Sequence, residues 1–167
     1  DTNLDVSVGD NFFAIGDSIS VGLDDNTAGD GASLNGWMQS SMGFEAILMD
    51  NLAALQPLLP SIIHKAATPG DTSSQSEAQR LPSILERHAD ANKAIITLGV
   101  NDAGGVTFTP SGLSITCSGT ACDGTFKGNL QSMIDQLSAA GKSTIVAMSP
   151  PRFGDASQPP YLDPANH

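Results

Sequence analysis

Short apolar runs alternate with longer stretches in which apolar residues recur every three or four positions, and this predicts the order β, α, β, α, β, α, β. Phe12 to Ile15 is a compact apolar run stopped by Gly16, which reads as a buried strand ending in a tight turn. Trp37, Met38, Met42, Phe44, Ile47, Leu48, Leu52 and Leu55 fall at helical spacing, and Pro57 and Pro60 close that segment. Ser61 to Ala66 is the next strand. Asp71 to Ser74 offer N-caps for a helix through about Ala89, with Ala78, Leu81, Ile84, Leu85 and His88 near one face; Pro82 either kinks it or fixes its first turn. Ala94 to Leu98 is a third strand. From about Gly104 to Gly124 the sequence is rich in Gly, Ser, Thr and Pro and reads as an excursion. Leu130, Met133, Ile134 and Leu137 then give a helix ended by Gly141 at C′, and Ser143 to Met148 is the fourth strand.

Strands this short and apolar, separated by helices, imply a parallel sheet covered on both faces, because right-handed crossovers place the helices there. Ligands bind such sheets at the carboxyl ends of the strands. A chain of 167 residues fits one domain, 1–167, and buries enough surface to fold without a metal or disulfide staple. The longest apolar runs, such as Ile145 to Met148, are too short to span a bilayer.

Charge narrows the partners. Seven basic against 18 acidic residues give a formal charge of -11, which repels phosphate backbones and anionic membranes, so nucleic acid is not expected. Cys117 and Cys122 sit five apart in a Gly/Ser/Thr-rich stretch, a spacing that closes a small loop disulfide in an oxidising compartment. A start at Asp1 without Met reads as a mature or trimmed form, and with the cysteines it suggests a secreted or periplasmic protein. The acidic residues Asp24, Asp25, Asn26 and Asp30 lack the EF-hand spacing and read as a solvated loop; no metal or other cofactor is expected.

Three polar motifs follow the first three strands: Gly16-Asp17-Ser18-Ile19-Ser20, Gly70-Asp71-Thr72-Ser73 and Gly99-Val100-Asn101-Asp102. All should converge on one edge of the sheet. A serine behind a glycine-permitted turn presents its hydroxyl at a helix N-terminus, where developing negative charge is stabilised. Gly70 can offer a backbone N–H with no side chain in the way, and Asn101 an amide donor. With the Ser18 N–H these make three donors, the arrangement of an oxyanion hole. Singly, Ser18 would read as an N-cap, Gly70 as a loop glycine and Asn101 as a turn former. Asp17 is expected to hold the turn by hydrogen bonds; His64 and His88 read as packing or capping residues.

Gly-Asp-Ser near the start, a loop glycine after the second strand and Gly-x-Asn-Asp after the third resemble the first three sequence blocks of the GDSL/SGNH hydrolases. The likeness covers nearly the whole sequence. Gly70-Asp71-Thr72-Ser73 followed by Arg80-Leu81-Pro82 is most similar to the lysophospholipase/thioesterase I/arylesterase branch. The resemblance implies a flavodoxin-like three-layer α/β/α fold and a serine acyl hydrolase acting on small-molecule carboxylic esters, thioesters or lipids. It makes Ser18 the nucleophile, with Gly70 and Asn101 completing the oxyanion hole. Carbohydrate O-acetyl ester cleavage and a non-catalytic binding module on the same fold are the alternatives.

The family's last block, Asp-x-x-His, supplies the catalytic acid and base after a further helix, strand and loop. Here Asp163 and His167 have three intervening residues rather than two, and Pro164-Ala165-Asn166 resembles a segment well upstream of the catalytic histidine. The expectation is that a C-terminal segment beyond His167 supplies both groups, as part of the same polypeptide or as a docked fragment. The alternative is a triad completed by Asp163 and His167.

Overall fold

Phe12 and Ala14 face one side of their strand, Phe13 and Ile15 the other, and all four are buried, so this strand needs cover on both faces. The structure, a computed structural model, describes residues 10–22, 43–59, 61–103, 116–142 and 144–148. In it, strands β1 (Asn11–Gly16), β2 (Ile62–Lys65), β3 (Lys93–Thr97) and β4 (Thr144–Met148) form one parallel sheet in the order β2-β1-β3-β4. The register pairs Phe13 with His64 and with Ala94, and Gly16 with Thr97.

Helices α4 (Leu81–Arg87) and α6 (Phe126–Ala139) cover the face of Phe13 and Ile15, where Leu81, Ile84, Ala94, Ile96, Leu98, Met133 and Leu137 complete the main core. Helix α2 (Gly43–Leu55) covers the other face, setting Phe44, Leu48 and Leu52 against Phe12, Ala14 and Ile95. These are the three layers of the flavodoxin-like α/β/α fold. The start expected for α2, at Trp37, Met38 and Met42, lies outside the described residues.

The helix expected from the Asp71–Ser74 caps to Ala89 is interrupted. Thr72 caps α3 (Ser73–Gln75) in a reciprocal capping box with Gln75. The backbone then widens into a π-helical turn, Ser76–Arg80, before α4 begins. Pro82 explains the interruption: it lacks an N–H, and its ring crowds the carbonyl four residues back, which a wider turn relieves. Two four-residue helices, α1 (Ser18–Val21) and α5 (Val100–Ala103), are too short to show a hydrophobic period. Helix α6 ends as expected, with Gly141 in the left-handed region at φ 74 just beyond the cap. Cys117 is disulfide-bonded to Cys122, which closes a short 3-10 turn, Gly119–Cys122.

Candidate active site

The segments after β1, β2 and β3 leave the sheet at its carboxyl edge, as the rule for parallel sheets requires. Ser18 is the first residue of α1 and half-buried, so its N–H has no acceptor within the helix. Asp17 caps that helix by accepting from the Ile19 N–H at 2.9 Å. Burial raises the Asp17 carboxyl above its ordinary range, and the neighbouring charges of Asp102 and Asp71 push it the same way.

Gly16 has a role different from the expected one. Its φ is not among the positive values, so the turn does not need glycine for its backbone angles. A Cβ there would instead run into the side chains of Ser20 and Thr97, which are hydrogen-bonded to each other. Gly70 does hold a left-handed conformation, φ 82, and stands open, with no atom within 4 Å of where a Cβ would project.

Strands β2 and β3 are not neighbours, since β1 lies between them, yet the segments that follow them meet. The Asn101 side-chain amide donates to the Asp71 carbonyl at 2.9 Å. The carboxylate of Asp102 is fully buried and accepts from Ser73: the Ser73 N–H reaches its two oxygens at 3.2 and 3.0 Å, and the Ser73 hydroxyl donates at 2.6 Å. Asn129, on α6, donates to the Ser73 hydroxyl at 3.0 Å. Asp71 in turn receives the Arg80 guanidinium, Nε at 3.1 Å and the second nitrogen at 3.4 Å. The structure therefore joins the Gly70 and Asn101 segments across the end of the strand that carries Ser18.

His64 and His88 are placed elsewhere. His64 stands in β2 opposite Phe13, and His88 caps the end of α4; their rings stack at 4.4 Å. Burial lowers the His88 pKa below its ordinary value, with the His64 and Arg87 charges adding to the effect and Asp90 opposing it. Asp163 and His167, like Asp24, Asp25, Asn26 and Asp30, lie outside the described residues.

Ser73, Asp102 and Asn129 were not legible as members of one network. For Asn129 a signal existed: it lies on the stripe Asn129, Met133, Leu137 at a spacing of four, the buried side of α6, and a buried amide there requires a partner.

A half-buried serine thus follows an inner strand of a doubly wound parallel sheet, and the segments after the strands on either side are tied to each other at that edge. Residues 14–166 match the model of the GDSL-like lipase/acylhydrolase family, and the protein belongs to that family. No curated protein sequence matches it. Among solved structures, TesA is 24% identical with a TM-score of 0.54, over 81% of this protein and 58% of that one. A catalytic mutant of Axe2, an acetylxylan esterase from Geobacillus stearothermophilus, is 18% identical with a TM-score of 0.58, over 86% and 60%. AlinE4, an SGNH-hydrolase family esterase, is 19% identical with a TM-score of 0.56, over 86% and 61%. The sequence thus spans about three fifths of the length of these structures. Among the described residues, no helix is long and apolar enough to cross a membrane, and no group of three or more His, Cys, Asp and Glu is placed to hold a metal ion.

Proposed function

We propose that the protein hydrolyses small-molecule carboxylic esters or thioesters through an acyl-Ser18 intermediate. The observation that carries this reading is the 2.9 Å bond from Asn101 to the Asp71 carbonyl, which draws the Asn101 amide and the Gly70 loop to the same end of β1 as Ser18. The Asn101 amide has two hydrogens. One is held by Asp71 and fixes the group; the other is left for a substrate oxygen.

In this mechanism the Ser18 hydroxyl attacks the ester carbonyl. The Ser18 N–H, the Gly70 N–H and the Asn101 amide bind the oxygen as it becomes negative, and the leaving alcohol or thiol departs. Water then attacks the acyl group and returns Ser18. A histidine must take the Ser18 proton and deliver it to the leaving group, with an aspartate orienting its ring. His64 and His88 are occupied with each other in β2 and at the end of α4, so neither is assigned that role. The pair comes from the sequence that follows β4: Asp163 and His167, or a further segment of the same protein. The Cys117–Cys122 bond supports a site of action in an oxidising, extracytoplasmic compartment.

The test is Ser18→Ala in the intact protein, with p-nitrophenyl acetate as substrate and a serine-directed fluorophosphonate as label. Turnover and labelling should both disappear while the fold is kept. Full turnover by the variant would overturn the assignment. Hydrolysis of acyl groups longer than acetyl distinguishes a general esterase from a sugar deacetylase, which would reject them.

A further inference from the structure

Asn129 lies 28 positions after Asn101, in a different helix, and takes no part in the chemistry proposed above. It is nonetheless buried, and its amide reaches back to Ser73 at 3.0 Å. The Ser73 hydroxyl is itself fully buried and has one hydrogen to give. Because Asn129 donates to it, its own hydrogen is directed to the Asp102 carboxylate, at 2.6 Å. The Ser73 N–H adds to that same carboxylate.

Two pairs of residues close in sequence are therefore locked together. Asp102 follows Asn101 directly in α5, and Ser73 stands two residues after Asp71, whose carbonyl holds the Asn101 amide. The Asn101 amide is fixed from one side by that carbonyl and from the other by the backbone of α5. Both ends of the clasp return to Ser73. Helix α5, of four residues, is too short to be rigid by itself, whereas α3 runs on through the π-helical turn into α4. The fourteen residues of α6, packed on the sheet through Met133 and Leu137, give Ser73 a second anchor through Asn129.

On the reading that Asn101 is an oxyanion donor, we propose that Asn129 is a positioning residue: its bond to Ser73 anchors the Ser73–Asp102 pair to α6 and so sets where the Asn101 amide points. Its contribution is to the transition state, because the developing oxyanion is more sensitive to donor placement than the neutral ester.

Steady-state hydrolysis of p-nitrophenyl acetate by the intact protein tests this, with Asn129→Ala, Asn129→Asp and Asn101→Ala compared after circular dichroism confirms folding. Asn129→Ala should lower kcat by roughly ten- to a hundredfold, the effect of a displacement on the order of 1 Å, with KM nearly unchanged. Asn129→Asp supplies a readout that loss of packing would not move. Only its protonated carboxyl can donate to Ser73, and its ionised form repels Asp102, so its activity relative to the native protein should rise as the pH is lowered. A native kcat in Asn129→Ala, beside a large loss in Asn101→Ala, would overturn the proposal and leave the oxyanion reading standing. Native activity in Asn101→Ala would overturn both. If Asn129→Ala does not fold, the Asp variant decides: a ratio to native activity that is flat with pH rejects the proposal.

Discussion

Replacing Asn101 by alanine removes one of three proposed donors to the oxyanion and one hydrogen bond of the ground-state protein, and these two effects differ in size. The lost bond is the 2.9 Å contact with the Asp71 carbonyl. It joins two neutral groups, the amide of half-buried Asn101 and the carbonyl of buried Asp71, and a bond of this kind contributes about 0.5–1.5 kcal/mol of stability. Loss of an oxyanion donor costs about 2.7–4 kcal/mol in the transition state, which is roughly a hundred- to a thousandfold in kcat. The Asn101→Ala protein should therefore remain folded while losing nearly all turnover. Asn101→Asp keeps the shape but sets an acceptor against the Asp71 carbonyl and adds a charge beside Asp102, so it should lose at least as much. The assay is kcat and KM for p-nitrophenyl acetate, with a urea titration of each variant. KM should hardly move, since the substrate carbonyl carries little charge before attack. A kcat loss below about fivefold in a folded Asn101→Ala protein would refute the reasoning, because removing a true oxyanion donor costs far more.

Further outcomes follow from the same contacts. Arg80→Ala leaves the Asp71 carboxylate, whose side chain is 5% exposed, with the 3.5 Å bond from the Ser76 hydroxyl but no charged partner, and should cost about 1–3 kcal/mol in urea unfolding, with Arg80→Lys recovering only part of it; an unchanged midpoint would show that the ion pair contributes nothing. His88 has a folded pKa below its ordinary 6.5, so the unfolded state binds this proton more readily than the folded one. The stability His88 provides is complete above pH 6.5 and is lost as pH falls through the lower folded value, and His88→Leu should flatten that decline; parallel urea-midpoint profiles for the two proteins would disprove it. Changing both Cys117 and Cys122 to serine should cost about 2 kcal/mol, as expected for so short a loop, and leave esterase activity nearly intact; two free thiols in the denatured, unreduced native protein would contradict the bond.

The sheet was legible because its two inner strands, β1 and β3, are apolar on both faces. Phe12 to Ile15 and Ala94 to Leu98 need burial on two sides, and only a parallel sheet between helices provides it. The motif residues Ser18, Gly70 and Asn101 lie two, five and four residues beyond the ends of β1, β2 and β3, so their segments leave from one edge of the sheet. What escaped is what depends on side chains meeting across the fold. Gly16 read as a turn glycine, and nothing local shows that Ser20 and Thr97 claim the space of its Cβ. Pro82 read as a kink or a first-turn residue and does stand in the first turn of α4, but nothing local announced the widened turn before it. Nothing local to Asn129 shows its partner, which lies 56 positions away.

The clasp between the segments after β2 and β3 also bears on how this protein can change length over evolutionary time. Neighbouring parallel strands stand about 4.8 Å apart, so two segments leaving on either side of β1 start about 10 Å apart and must lean inward to touch. Main-chain pairing fixes their starting points, and the Asn101–Asp71 and Ser73–Asp102 bonds fix where they meet. One residue inserted between Gly70 and Ser73, or between Gly99 and Asp102, would shift a partner out of reach. The stretches between Lys65 and Gly70 and between Thr97 and Gly99 allow hardly more. The clasp's own bonds involve Asp71, Ser73, Asn101 and Asp102 alone, so changes of length that spare the segments holding them leave the spacing of the proposed donors as it is.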